Sequence, residues 1–462
     1  MRTIILTVCV FYSAALFANT DSLHRFSINQ FFSVVLNNHP MAKAAQLRVG
    51  AAEAYLQKAR GGFDPKLKLS NEDKFYKNTN YFNIFSSGIS VPTMGGLELK
   101  SGYDYNRGLN INPENKLPDA GLLYAGLTLS VGQGLMIDER RAVLAQAKIQ
   151  RVAGEVERQA LLNELLYDAG KNYWNWFAAY HQLEVFRKAR TAAYERLQAV
   201  KSSAEFGDRP SVDTLEASIQ YQERQLSLMQ SELAYKNARI ELALYLWDAE
   251  MRPYELASNT IPPALDSLFF EPDLEVFFNK DWWKNHPEYR LYAFKKDQLM
   301  VEKRWRKEQL KPLLNLSYQP LTAGNQMATW STNDYKFGVT FSMPLLFRKE
   351  RGELAITKFK IKETEYNMAF KSTEILTKFS TAFNEYGNFT EQLVFYRNTV
   401  NNYASLLNAE KDIFNNGESS LFMINAREMS YISASVKLID IAVKARKASL
   451  MLRYASGQLY NF

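Results

Sequence analysis

The sequence predicts a mostly helical chain with a smaller share of β-strand, built from one unit used twice. Each unit holds strands followed by a very long antiparallel helical hairpin. Three observations predict this. Residues 137–204 contain no proline and only Gly154 and Gly170. From Leu162 onward their apolar residues fall at Leu162, Leu166, Ala169, Tyr173, Trp176, Tyr180, Leu183, Phe186, Ala189, Ala193, Leu197, Val200 and Ala204. Every step is three or four residues and together they average close to 3.5, which is the seam of a coiled coil. At ~1.5 Å per residue the helix would reach about 100 Å, far too long for the core of one compact domain. Second, short tracts recur at long range. Asn38-His39-Pro40 returns as Asn285-His286-Pro287, an offset of 247 residues, and residues 127–131 return as 339–343, an offset of 212. Third, apolar residues alternate with mostly small or polar ones in the tracts before each long helix, the period of a strand with two unlike faces.

The elements follow in order. Arg2, an apolar stretch over 3–17 and Ala18-Asn19-Thr20 form a signal peptide over 1–18, with cleavage after Ala18 or Ala15. A lipobox over 6–9 would leave almost no apolar core before Cys9. The first repeat spans 19–250. It opens with a helix over 27–60 capped by Ser27 and broken or kinked at His39-Pro40. Strands lie within about 64–131, with Leu67, Leu69, Leu127, Leu129 and Val131 on their apolar side. The shrinking offset places about 35 extra residues between the first copy's strands. This insert, 71–121, reads as a further hairpin, 83–91 with 97–105, and a polar loop over 106–120. The long hairpin covers 137–247 and turns at Phe206-Gly207-Asp208-Arg209. Pro253, Pro262, Pro263 and Pro272 mark a linker, 251–271. The second repeat, 272–462, has a helix over 273–309, strands within about 312–343 and a hairpin over 349–457 turning at Asn416-Gly417-Glu418. Its long seam reads Leu376, Phe379, Phe383, Tyr386, Phe389, Leu393, Tyr396, Val400, Tyr403, Leu407 and Phe414.

Composition narrows the function. The chain has 462 residues, 47% hydrophobic and 23% charged, which suits an ordered, water-compatible protein. Its net charge of +7 is dispersed among interleaved acids and bases, which argues against a nucleic-acid partner. Cys9 is the only cysteine and lies in the signal segment, so the processed chain has no disulfide, thiol nucleophile or cysteine metal site. No catalytic or cofactor motif stands in context among the four histidines, His24, His39, His181 and His286. No enzyme activity, cofactor or metal is expected, and the two His-Pro histidines read as structural. Tyr173, Trp174, Trp176 and Phe177 fit a packed seam better than a base-stacking platform. No run of 18 apolar residues follows the signal, so any membrane span must be made of strands. Too few strands per unit to close a barrel, and helices too long for one domain, are both resolved if several copies pool them.

The chain resembles the TolC-like outer-membrane efflux proteins over nearly its whole mature length. The resemblance rests on Phe26-Ser27-Ile28 leading to Asn37-Asn38-His39-Pro40, on Arg60 through Pro65-Lys66-Leu67, and on Gly126-Leu127-Thr128-Leu129. It rests also on residues 338–345 and on Phe414 through Gly417 with Leu421 and Ala426. It implies a homotrimer in the outer membrane of a Gram-negative bacterium, each protomer giving four strands to a shared barrel and helices to a periplasmic tunnel. The function implied is an exit duct of a tripartite efflux or type I secretion system, passive toward small molecules, metals or proteins. The partners implied are a periplasmic adaptor, an inner-membrane pump and outer-membrane lipid. At the hairpin tips it assigns adaptor docking to Phe206, Gly207, Asp208, Arg209, Asn416, Gly417 and Glu418. Aperture lining falls to Asp213, Glu216 and Asn425. Asp213 and Glu216 share a helix face, but the equivalent positions of the second repeat are uncharged Phe422 and Asn425. First-turn acids favouring the helix dipole explain Asp213 and Glu216 as well. The competing reading is a non-conducting periplasmic coiled-coil scaffold or adaptor, which leaves the matched strands unexplained.

Overall fold

The computed structural model describes residues 24–265, 281–326 and 329–461. The expected signal segment, the end of the expected linker and positions 273–280 of the expected helix lie outside the described residues. Two compact units form, and each draws on both repeats. The described residues of one are 24–39, 168–265 and 385–448; those of the other are 40–167, 281–326, 329–384 and 449–461.

The second of these carries the sheet. Six strands, β1 (Lys66–Tyr76), β2 (Thr79–Pro92), β3 (Leu97–Arg107), β4 (Leu122–Ser130), β5 (Leu313–Ala323) and β6 (Tyr335–Ser342), lie side by side in chain order. Every neighbouring pair is antiparallel. The resemblance implied four strands, and the chain has six here. The expected insert hairpin becomes β2 and β3 and sits inside the sheet, because its alternation continues that of its neighbours. The repeats meet at the β4–β5 pair, where Leu129 faces Leu316 and Leu127 faces Tyr318.

The helix expected over 27–60 is two helices, α1 (Ile28–Asn38) and α2 (Pro40–Arg60), parted at His39 as the His-Pro pair predicts. Ser27 caps α1 in a capping box with Gln30. In the sheet-bearing unit α2 packs on α3 (Glu139–Glu205) through Leu56, Ala59, Leu144 and Ala147. The approach is close: a Cβ on Gly154 would lie 2.6 Å from that of Ala52. The second repeat's first helix shortens to α5 (Pro287–Glu308). His286 caps it, its Nδ1 accepting the Glu288 N–H at 3.2 Å. Burial pushes the His286 pKa below its usual range, against the opposing pull of Glu288. On α6 (Arg348–Asn415), Lys371 bridges Glu288 at 2.9 Å and Glu374 at 2.7 Å. Burial disfavours that ammonium, but the two carboxylates outweigh it and raise its pKa.

In the other unit the aromatic seam of α3 is core. Tyr173, Trp176 and Phe177 are fully buried, and the Tyr173 hydroxyl donates to the Phe26 carbonyl at 2.7 Å. Arg446 lies 4.6 Å from the Phe177 ring centroid, on α7 (Leu421–Ala455). The seam of α6 is only partly as expected. Leu393, Val400 and Leu407 are buried, whereas Leu376 and Phe383 are exposed and Ile375 and Ala382 are buried in their place. A one-residue rotation of the buried face accounts for this, and a seam read without its partner helices has no means of registering it.

Candidate functional site

Both hairpins turn through the same backbone device. At the end of α3, Gly207 adopts φ +84°, its N–H bonding the Ala204 carbonyl and that of Asp208 bonding the Ser203 carbonyl. At the end of α6, Gly417 adopts φ +80°, its N–H bonding Phe414 and that of Glu418 bonding Ile413. These paired bonds are the Schellman cap, which needs a left-handed residue and so favours glycine. A two-residue glycine signal in each repeat therefore fixes both turns. After them α4 (Ser211–Ala243) and α7 return.

The tips are joined through side chains. Arg209 lies 4.4 Å from the Phe414 ring centroid and 3.7 Å from Asp213. One guanidinium thus serves the first tip's acid and the second tip's aromatic ring. Phe206 projects, 80% exposed, and Asp208, Asn416, Gly417 and Glu418 are exposed with it. Apolar residues close the space behind: Leu197 and Val200 of α3, Ala217 of α4, Leu407 of α6, and Leu421 and Ile424 of α7.

Below this plug lies a polar knot. Arg196 on α3 meets Glu428 on α7 through two nitrogens at 2.8 and 3.0 Å, and its Nη1 donates to the Asn425 amide oxygen at 2.7 Å. Asn425 in turn donates to Glu216 on α4 at 3.3 Å. Both ends of the ion pair are over nine-tenths buried. Of the three aperture candidates, Asp213 is paired with Arg209, Glu216 is half-buried and bonded to Asn425, and Asn425 itself is buried. Sequence reasoning missed Arg196 and Glu428. Each stands on its helix as an ordinary charge, and only the fold brings them together across 232 residues. A second link joins α3 to α4, with Arg190 donating to Tyr221 at 3.0 Å and Gln225 at 3.1 Å. Among the described residues there is no cluster of metal-ligating side chains, and no helix is long and apolar enough to cross a membrane.

The outer membrane efflux protein family matches residues 32–246 and 298–458, both repeats and most of the chain. The chain belongs to that family. It is an outer-membrane channel extending into the periplasm, a passive exit duct of the tripartite efflux type rather than an enzyme. Solved structures with the same fold include the MtrE channel of Neisseria gonorrhoeae, with TM-score 0.68 and 14% identity, covering 94% of this chain and 89% of that one. The CmeC channel of Campylobacter jejuni gives TM-score 0.66 at 15% identity, covering 93% and 85%. VceC of Vibrio cholerae gives 0.64 at 13%, covering 93% and 96%. No curated protein matches the sequence. Channels of this family are generally trimeric and work with adaptor and pump partners.

Proposed function

We propose that three copies of this family member assemble into a conduit whose two hairpin tips per copy dock a periplasmic adaptor joined to an inner-membrane pump. One observation carries the assembly. On α4, Val212, Leu215, Ile219, Leu226, Met229, Leu233 and Ile240 follow heptad spacing, and all are 47–64% exposed. This is a second coiled-coil seam that the chain's own core does not use, and a neighbouring copy is its natural occupant. Within this reading the repeats 19–250 and 272–462, joined by 251–271, give each copy two tips. The exposed phenyl of Phe206 and the acids Asp208 and Glu418 offer the adaptor an apolar anchor with a charged rim, flanked by Gly207, Arg209, Asn416 and Gly417.

Asp213, Glu216 and Asn425 line the aperture in this proposal. The Arg196 knot holds the tip shut, because opening requires Arg196 to leave Glu428 and Asn425. Purified protein in a planar bilayer tests the conduit. Discrete conductance steps that grow when Arg196 is replaced by Ala are expected. A folded protein that stays monomeric, needs no detergent and never conducts would overturn the reading.

A further inference from the structure

We infer that this chain builds its exit barrel from six strands per copy, so that three copies close an eighteen-stranded wall. This rests on the proposed trimer but concerns the size of the outlet. The inserted hairpin is an integral part of the wall. Register runs unbroken from the Asn83–Arg107 pair to the Pro92–Glu98 pair, and from the Leu97–Leu129 pair to the Asp104–Leu122 pair. Its faces are in phase with the rest. Val91, Leu99 and Leu127 stand in one row across three strands, and Leu129, Leu316 and Val339 in another on the same face. The opposite face carries Ser86, Ser90, Glu98, Lys100, Asp104, Thr128 and Ser317. There the Ser86 hydroxyl meets Asp104 at 2.6 Å and that of Ser90 meets Glu98 at 2.7 Å. An apolar outer row and a hydroxyl- and charge-lined inner row are what lipid and water require of a barrel strand.

The insert is also locked in place. The Tyr124 hydroxyl lies where a Cβ on Gly88 or Gly102 would stand, 2.7 and 2.5 Å away. The β4 tyrosine therefore reaches across both insert strands, and only glycine leaves it room. Strand lengths of 8 to 14 residues suit a tilted span of ~9–11 residues. Six strands, each antiparallel to the next, leave β1 and β6 at the edges running in opposite senses. The β6 of one copy can then pair antiparallel with the β1 of the next, and a head-to-tail ring closes without a fault.

With strands ~4.8 Å apart and tilted by about 40°, twelve strands give a backbone radius of about 12 Å and eighteen about 18 Å. The wider wall encloses roughly twice the area and falls among barrels with an open aqueous channel. In this duct the outer end sets no size limit, and selection is left to the tips and the pump.

Electron cryomicroscopy of the full chain, extracted in detergent, tests this directly. Eighteen strands around one pore are expected. Twelve strands in a threefold particle, with the 79–107 hairpin folded off the wall, would overturn the inference while leaving the conduit intact. Twelve strands from two copies would overturn the inference and the trimer together. A monomer without a barrel would overturn the function as well. A variant lacking residues 77–107 leaves β1 beside β4 still antiparallel, and its barrel should be about 1.5-fold narrower; an unchanged diameter counts against the proposal. If this variant does not fold, the strand count of the full chain still decides.

Discussion

Arg196 and Glu428 set a full charge pair inside the helical bundle, each side chain less than a tenth exposed. Such a pair gains little over an apolar pair of the same shape but is costly to break on one side. Arg196→Ala should lose about 3–5 kcal/mol, read as a lower unfolding midpoint. Replacing Arg196 and Glu428 together with leucine or methionine should recover much of that loss, and a double variant as damaged as the single would contradict the account. His286 gives a prediction of opposite origin. Burial lowers its pKa in the folded chain, while Glu288 pulls upward and Lys371 and Lys378 pull downward. The unfolded chain therefore takes up the proton first. The contribution to stability is fully present above the ordinary value of 6.5 and is lost as pH falls below it toward the depressed folded value. Thermal midpoints should fall between about pH 7.5 and about pH 5.5, and His286→Asn, which can still cap α5, should flatten that dependence.

At the scale of the element, the two glycine turns and the α4 seam answer to different forces. Gly207→Ala and Gly417→Ala place a Cβ in left-handed backbone, worth about 1–2 kcal/mol each. The cost is local, so faster amide exchange in residues 200–215 or 410–425 is expected with the global midpoint nearly unchanged. A charge on the α4 seam should act on assembly instead. Leu226→Glu or Met229→Lys should shift the detergent-extracted protein from trimer toward monomer in light scattering, since both side chains are more than half exposed within the chain. An intact trimer would remove the seam from the interface. Reversing Asp208 or Glu418, alone and together, should weaken adaptor capture without changing oligomer size.

For the whole molecule, Cys9 is the only cysteine in the sequence, so crosslinking is clean in a Cys9→Ser background. Cysteines at Asp208 and Asn416 should couple hairpins around a closed aperture and lower conductance, and a reductant should restore it. Arg196→Ala should slow that coupling if the knot holds the tips together.

Much of this was legible in the sequence. The long seams need only helical period, the turns need only glycine at a left-handed cap, and the doubled His-Pro breaks need only proline's missing N–H. These are local rules, and the repeat let each be checked twice. The same rules placed the insert's hairpin at 83–91 and 97–105, yet could not say which strands it would pair with. Alternation marks a face but not a neighbour, and strand pairing is settled by contacts between residues far apart in the chain. That is why six strands came from the tertiary structure. It is also why Leu376 and Phe383 gave way to Ile375 and Ala382 on the buried side of α6. The Arg196–Glu428 pair is the clearest case. Nothing in the neighbourhood of either residue distinguishes it from a solvated charge, and only the packing of α3 on α7 removes both from water. The sequence by itself determined the elements, their duplication and their turns, because those follow from forces acting within a few residues. The tertiary structure decided the width of the sheet and the knot behind the tips, because both depend on which distant residues the fold buries together.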